Sequence, residues 1–185
     1  MKSYLPVIVT SFLFFSLPGI TKEVGSIAPV ITLVDENGQT WNSSDFLHHK
    51  NILIFFYPAA MTGGCTKQAC SYRDDIQKWK SRDFEVVGIS GDKSENLKLF
   101  KKAYGLNFRL LSDQEGKTAQ AFGVPTSQGG AIQKFFQGER FTLERGVTAK
   151  RWTFIISKEG KILYLNNKVN AGKDSNDAFE FISKL

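Results

Sequence analysis

Two cysteines, spaced as Cys65-x4-Cys70, carry the most chemical reach in this chain. Cys65 closes the segment Pro58-Ala59-Ala60-Met61-Thr62-Gly63-Gly64-Cys65, which directly follows the apolar run Asn51 to Tyr57. In open α/β sheets ligands bind beyond the carboxyl ends of the strands, so chemistry is expected just after Tyr57. If a helix begins at Cys65, its sulfur lies near unpaired backbone N–H groups and the positive end of the helix dipole. Both favour the thiolate, which is the nucleophilic form. Gly63 and Gly64 let a small substrate approach the backbone, and Thr62 is placed to hydrogen-bond the sulfur or an incoming oxygen. A lone buried cysteine is ordinarily an inert small hydrophobe. The loop-to-helix position and the flanking Thr-Gly-Gly favour a nucleophile instead.

The spacing to Cys70 limits what the pair can do. In an intact helix, five residues advance about 7.5 Å and turn the side chain about 140° away. The Cα atoms then lie roughly 8.7 Å apart, beyond the ~7 Å reach of a disulfide. Either the stretch is not helical, or the helix unwinds before a bond forms. A static structural disulfide is disfavoured, although an exported chain permits one; a reversible disulfide coupled to local unfolding is the sharper expectation. The C-x-x-C dithiol of disulfide reductases is absent. Zinc is not expected, because two cysteines with the adjacent His48 and His49 do not match finger spacing.

Elements must place these residues. Ala28 to Val34 reads as a strand, Asp35 to Gly38 as its turn and Gln39 to Trp41 as a hairpin partner. The continuous apolar run Asn51 to Tyr57 is what a central strand covered on both faces requires. A helix is expected from Cys65 to Lys80, a second buried strand over Phe84 to Ser90, and a helix from Ser94 to Tyr104. A short strand over Phe108 to Leu111 and a helix from Gln114 to Phe122 come next. Pro125 to Val147, rich in Gly and Gln, has no assigned structure. Trp152 to Ile156 and Lys161 to Leu165 form a hairpin, and Asp174 to Lys184 a closing helix. This order predicts an α/β domain with a central mixed sheet and helices on both faces.

Composition fits one domain plus a short appendage. The chain has 185 residues, 42% hydrophobic and 23% charged, which is enough for a core and argues against disorder. Its net charge of +6 is scattered, and the densest cluster, Lys98, Lys101 and Lys102, has the spacing of a solvated helix face. No basic stripe with interleaved aromatics is present, so nucleic acid is not an expected partner. Lys2 followed by the apolar run Tyr4 to Leu17 and the Pro18-Gly19 break reads as a signal peptide over residues 1–21. The run is short for a span of about 20 apolar residues. Export to a periplasmic or other extracytoplasmic compartment is expected, without stable membrane insertion after cleavage. The alternative is an uncleaved anchor at residues 4–20.

Together, Pro58-x-x-x-Thr62-x-x-Cys65, Cys65-Thr66-x-x-Ala69-Cys70 with Tyr72-Arg73-Asp74, Gly25-x-x-Ala28-Pro29 and Arg151-Trp152-Thr153-Phe154 resemble the peroxiredoxins, specifically the peroxiredoxin Q or bacterioferritin comigratory protein group. The likeness runs from about residue 25 to the C-terminus. It implies a thioredoxin-like fold over residues 22–185 and a thiol peroxidase with neither cofactor nor metal. By the resemblance Cys65 attacks the peroxide O–O bond and becomes a sulfenic acid. Thr62 orients the peroxide, Pro58 shields the sulfur, and Arg151 favours the thiolate and the charge developing on oxygen. Cys70 resolves the sulfenic acid to a disulfide, and thioredoxin or another dithiol restores both thiols. The group is expected to be monomeric.

Three features depart from the pattern. Gly63 stands where a proline is usual, Gln68 where a glutamate is common, and the segment Gln128 to Thr148 is longer than expected. The alternatives are a thiol–disulfide oxidoreductase, for which C-x4-C is the wrong spacing, and a redox sensor or chaperone-like binding module using the same cysteines.

Overall fold

The computed structural model describes residues 22–185; the signal or anchor expected over residues 1–21 lies outside the described residues. Strands β1 (Thr32–Asp35) and β2 (Thr40–Asn42) form the opening hairpin, and β3 (Asn51–Phe56) follows. After a loop come helices α1 (Gly63–Asp74) and α2 (Ile76–Lys80), strand β4 (Phe84–Ser90), helix α3 (Ser94–Tyr104) and strand β5 (Arg109–Ser112). Helix α4 (Lys117–Ala121) leads into β6 (Thr126–Phe136) and β7 (Glu139–Ala149). The chain closes with β8 (Trp152–Ile156), β9 (Ile162–Asn166) and α5 (Asp174–Ile182).

Among the described residues the main sheet has the order β2-β1-β5-β4-β3-β8-β9. Strands β3, β4 and β5 run parallel, whereas β8 lies antiparallel beside β3 and β1 antiparallel beside β5. The sheet is therefore mixed. β3 shows why its sequence is uniformly apolar. Leu53, Phe55 and the following Tyr57 face one core with Tyr72, Trp79 and Phe100. Ile52, Ile54 and Phe56 face the other with Phe122 and Phe154. Alternate residues serve opposite cores, so no position is left for a polar side chain. Helices α1, α2, α3 and α5 contribute to the first core and α4 to the second, which puts helices on both faces.

Two expectations need correction. The stretch expected as one helix from Cys65 to Lys80 is two, because the ladder breaks at Asp75, and α1 starts earlier, at Gly63. The segment left unassigned, Pro125 to Val147, is mostly a long hairpin, with Thr126 paired to Ala149 and Phe136 to Glu139. Its turn residues Gln137 and Gly138 both have positive φ, 52° and 83°, the signature of the tight turn whose twist matches the flanking strands. Ile132, Phe136, Phe141 and Leu143 on its inner side pack onto the first core.

Candidate active site

Helix α1 buries Cys65, Gln68, Ala69 and Tyr72, the i, i+3, i+4, i+7 stripe of an amphipathic helix. That stripe turns Cys65 inward, where it is 2% exposed. Thr62 is the helix N-cap in extended conformation, yet its side chain does not cap. Its hydroxyl donates to the Ala59 carbonyl at 2.8 Å, rather than contacting the sulfur. Its lone pairs stay free to accept, and the first-turn N–H groups have no capping side chain. Pro58, half-buried, opens the loop between β3 and α1.

Arg151 reaches this loop because β8 pairs antiparallel with β3. Trp152 lies opposite Phe56, so the preceding residue sits beyond the carboxyl end of β3. Its Nη2 donates to Cys65 Sγ at 3.3 Å. A Cβ added to Gly64 would lie 3.3 Å from the same Nη2, whereas one on Gly63 would meet nothing within 4 Å. The close-approach role expected of both glycines therefore falls to Gly64, and the group approached is the guanidinium.

Two buried carboxylates support the site, and neither was singled out in the sequence. Asp92 Oδ2 accepts the Ala60 N–H at 2.9 Å and the Ser90 hydroxyl at 2.7 Å. It thereby pins a loop in which Met61 takes a left-handed φ of 58°. Burial raises the Asp92 carboxyl above its ordinary 3.8, against the bonds from Ser90 and Ala60 and the charge of Arg145. Burial, then the neighbouring Asp92, pushes the Tyr57 phenol well above its ordinary 10.0. Asp174, the first residue of α5, accepts from Gln68 Nε2 at 2.7 Å, Thr153 Oγ1 at 2.7 Å and Tyr72 Oη at 2.8 Å, all on Oδ2. Burial raises its carboxyl too, opposed first by the bond from Gln68. A partial signal for Asp92 is its place just after β4, at the carboxyl end of the parallel strands, where Cys65 also lies. Asp174 has no local signal, being brought in only by tertiary packing.

Cys70 is half-buried in the same unbroken helix as Cys65, and both thiols are free. The structure thus brings Arg151 onto Cys65, places Pro58 and Thr62 in the loop that leads into α1, and keeps Cys70 on another face of that helix. Among the described residues no group of three or more His, Cys, Asp or Glu side chains is gathered to hold a metal.

Residues 24–165 match the AhpC/TSA family. The chain is 36% identical over 162 residues to the chloroplastic peroxiredoxin Q of Triticum aestivum, covering 87% of this chain and 67% of that protein. To peroxiredoxin Bcp of Escherichia coli (strain K12) it is 39% identical over 140 residues, covering 76% and 82%. Among solved structures, peroxidoxin BcpB from Mycobacterium tuberculosis superposes with a TM-score of 0.73 at 28% identity, covering 89% of this chain and 98% of that one.

Proposed function

The chain belongs to the AhpC/TSA family and is a thiol-dependent peroxidase of the peroxiredoxin Q and Bcp kind, and from that premise we propose that Cys65 is its peroxidatic cysteine. The observation that carries this is the contact of Arg151 Nη2 with Cys65 Sγ at the head of α1. A fixed guanidinium and the helix N-terminus both favour negative charge on sulfur. The thiolate attacks one peroxide oxygen; the O–O bond breaks, sulfur is oxidised to sulfenic acid, and the distal oxygen leaves as water or an alcohol after taking a proton. Arg151 stabilises the charge that develops on those oxygens. Thr62, its proton committed to Ala59, accepts from the peroxide O–H and so orients it. Pro58 at the loop entrance limits water at the sulfur.

Cys70 is the resolving cysteine. Its thiol displaces hydroxide from the sulfenic sulfur, which leaves as water, and the disulfide is reduced by thioredoxin or a similar dithiol. Peroxide consumption with a dithiol reductant tests these roles. Cys65→Ser is expected to abolish turnover. Cys70→Ser should hold one sulfenic-acid equivalent and turn over only with an outside thiol. Steady consumption by Cys65→Ser would overturn the assignment. We further infer that residues 1–21 direct export and are removed and that the mature protein is a monomer, which N-terminal sequencing and sizing of the mature chain check.

A further inference from the structure

The guanidinium that faces Cys65 has no carboxylate within ion-pair distance among the described residues; its other amino group, Nη1, donates to the side-chain oxygen of Gln68. Gln68 is fully buried and passes the contact on, its Nε2 donating to Asp174 Oδ2 at 2.7 Å. Only one orientation of this amide is chemically possible. Turned over, its NH2 would oppose the guanidinium N–H groups and its oxygen would oppose a carboxylate. A carboxylate at position 174 therefore dictates which end of Gln68 meets Arg151.

We propose that Asp174 is a positioning residue for the peroxide reaction, acting through the Gln68 amide to hold Arg151 against Cys65. The proposal rests on Cys65 being the peroxidatic cysteine. Asp174 is itself over-determined: Tyr72 from α1 and Thr153 from β8 donate to the same oxygen, and α5 supplies the backbone. One buried oxygen thus ties together the helix that carries Cys65, the strand that follows Arg151 and the closing helix. Because the relay is neutral, the negative charge stays one side chain away from the guanidinium. A glutamate at 68 would instead set two carboxylates about a hydrogen-bond length apart, which cannot both ionise freely.

The test is an exchange of the amide and the carboxylate, read as the rate of Cys65 oxidation by hydrogen peroxide per folded chain. Asp174→Asn and Gln68→Glu are each expected to lower that rate about 10-fold or more, because small misplacements at a reacting centre are costly. The double variant Gln68→Glu/Asp174→Asn restores an acceptor toward Arg151 and a donor toward position 68, and should recover to within about threefold of the parent. Loss by packing damage alone would multiply in the double variant, and that result overturns the proposal, as does a parental rate in Asp174→Asn. Should Asp174→Asn fail to fold, Gln68→Met removes the same link and leaves Tyr72 and Thr153 on Asp174. A parental rate there overturns the proposal equally. Cys65→Ser, run alongside, separates the two levels: turnover by it sinks the nucleophile assignment, whereas its silence with unaffected relay variants sinks the relay alone.

Discussion

At the scale of single residues, the site depends on one guanidinium reaching one sulfur past a glycine. Gly64 leaves the space through which Arg151 Nη2 approaches, and a methyl group there would stand 3.3 Å from it. Gly64→Ala should push the guanidinium aside by a few tenths of an ångström and slow peroxide reduction by about threefold to tenfold. Its thermal midpoint should not fall, since alanine at a helical position stabilises by about 0.4–1 kcal/mol. Stopped-flow oxidation rates beside melting curves check this, and an unchanged rate would mean that Arg151 adjusts freely. Cys65 and Thr62 stand out in the sequence by their place in the loop that leads into a helix, whereas Arg151 is picked out only by the resemblance of Arg151-Trp152-Thr153-Phe154 to a family motif. Asp92 and Asp174 do not stand out. A buried aspartate is identified by what folds around it, and the donors to Asp174 come from Gln68, Tyr72 and Thr153, far away in the chain.

At the scale of elements, the proposed cycle sets α1 two incompatible tasks. Intact, it holds Cys65 on its buried stripe and Cys70 on another face; for a disulfide it must unwind, since the two Cα atoms would otherwise stay roughly 8.7 Å apart. Amide exchange across residues 66–73 should therefore be markedly faster in the oxidised protein than in the reduced one. Equal protection in both states would contradict a disulfide made by unwinding. Gly63 offers a second prediction. It is the first residue of α1, has open space around its Cβ position, and follows Thr62 in extended conformation with φ −92° and ψ 152°. Proline suits such a position, so Gly63→Pro should stabilise the fold by about 0.4–1 kcal/mol. Urea unfolding measures it; a lowered midpoint would show that the loop needs the glycine. The hairpin of β6 and β7 was the element least legible in sequence. Phe141, Leu143 and Val147 do alternate with polar residues, but Gln128, Gly129 and Gly130 on the partner strand mask the pairing, and the inner face is completed by the first core.

At the scale of the whole molecule, the mixed sheet is what assembles the site. The parallel strands put the Cys65 loop and Asp92 beyond the carboxyl ends of β3 and β4, and the antiparallel β8 brings Arg151 to the same end of the sheet. The apolar run of β3 made this sheet readable from sequence, and the seating of α5 on α1 did not, because it depends on buried polar contacts. The buried carboxyl beside the Cys65 loop has a pH signature. Burial raises the Asp92 carboxyl above 3.8, so the folded chain holds that proton more tightly than the unfolded chain. The stability it contributes is full below about 3.8 and is lost as pH rises through the raised folded value. Relative to Asp92→Asn, the parent protein should lose stability as the pH rises above about 4. Denaturation midpoints that keep a constant difference over that range would contradict this. Whether peroxide oxygen is delivered to the sulfur of Cys65 is tested most directly by mapping the oxidised residue in Cys70→Ser by mass spectrometry after one equivalent of peroxide. One added oxygen on Cys65 is the predicted result; an unmodified Cys65 while the peroxide is consumed would contradict it.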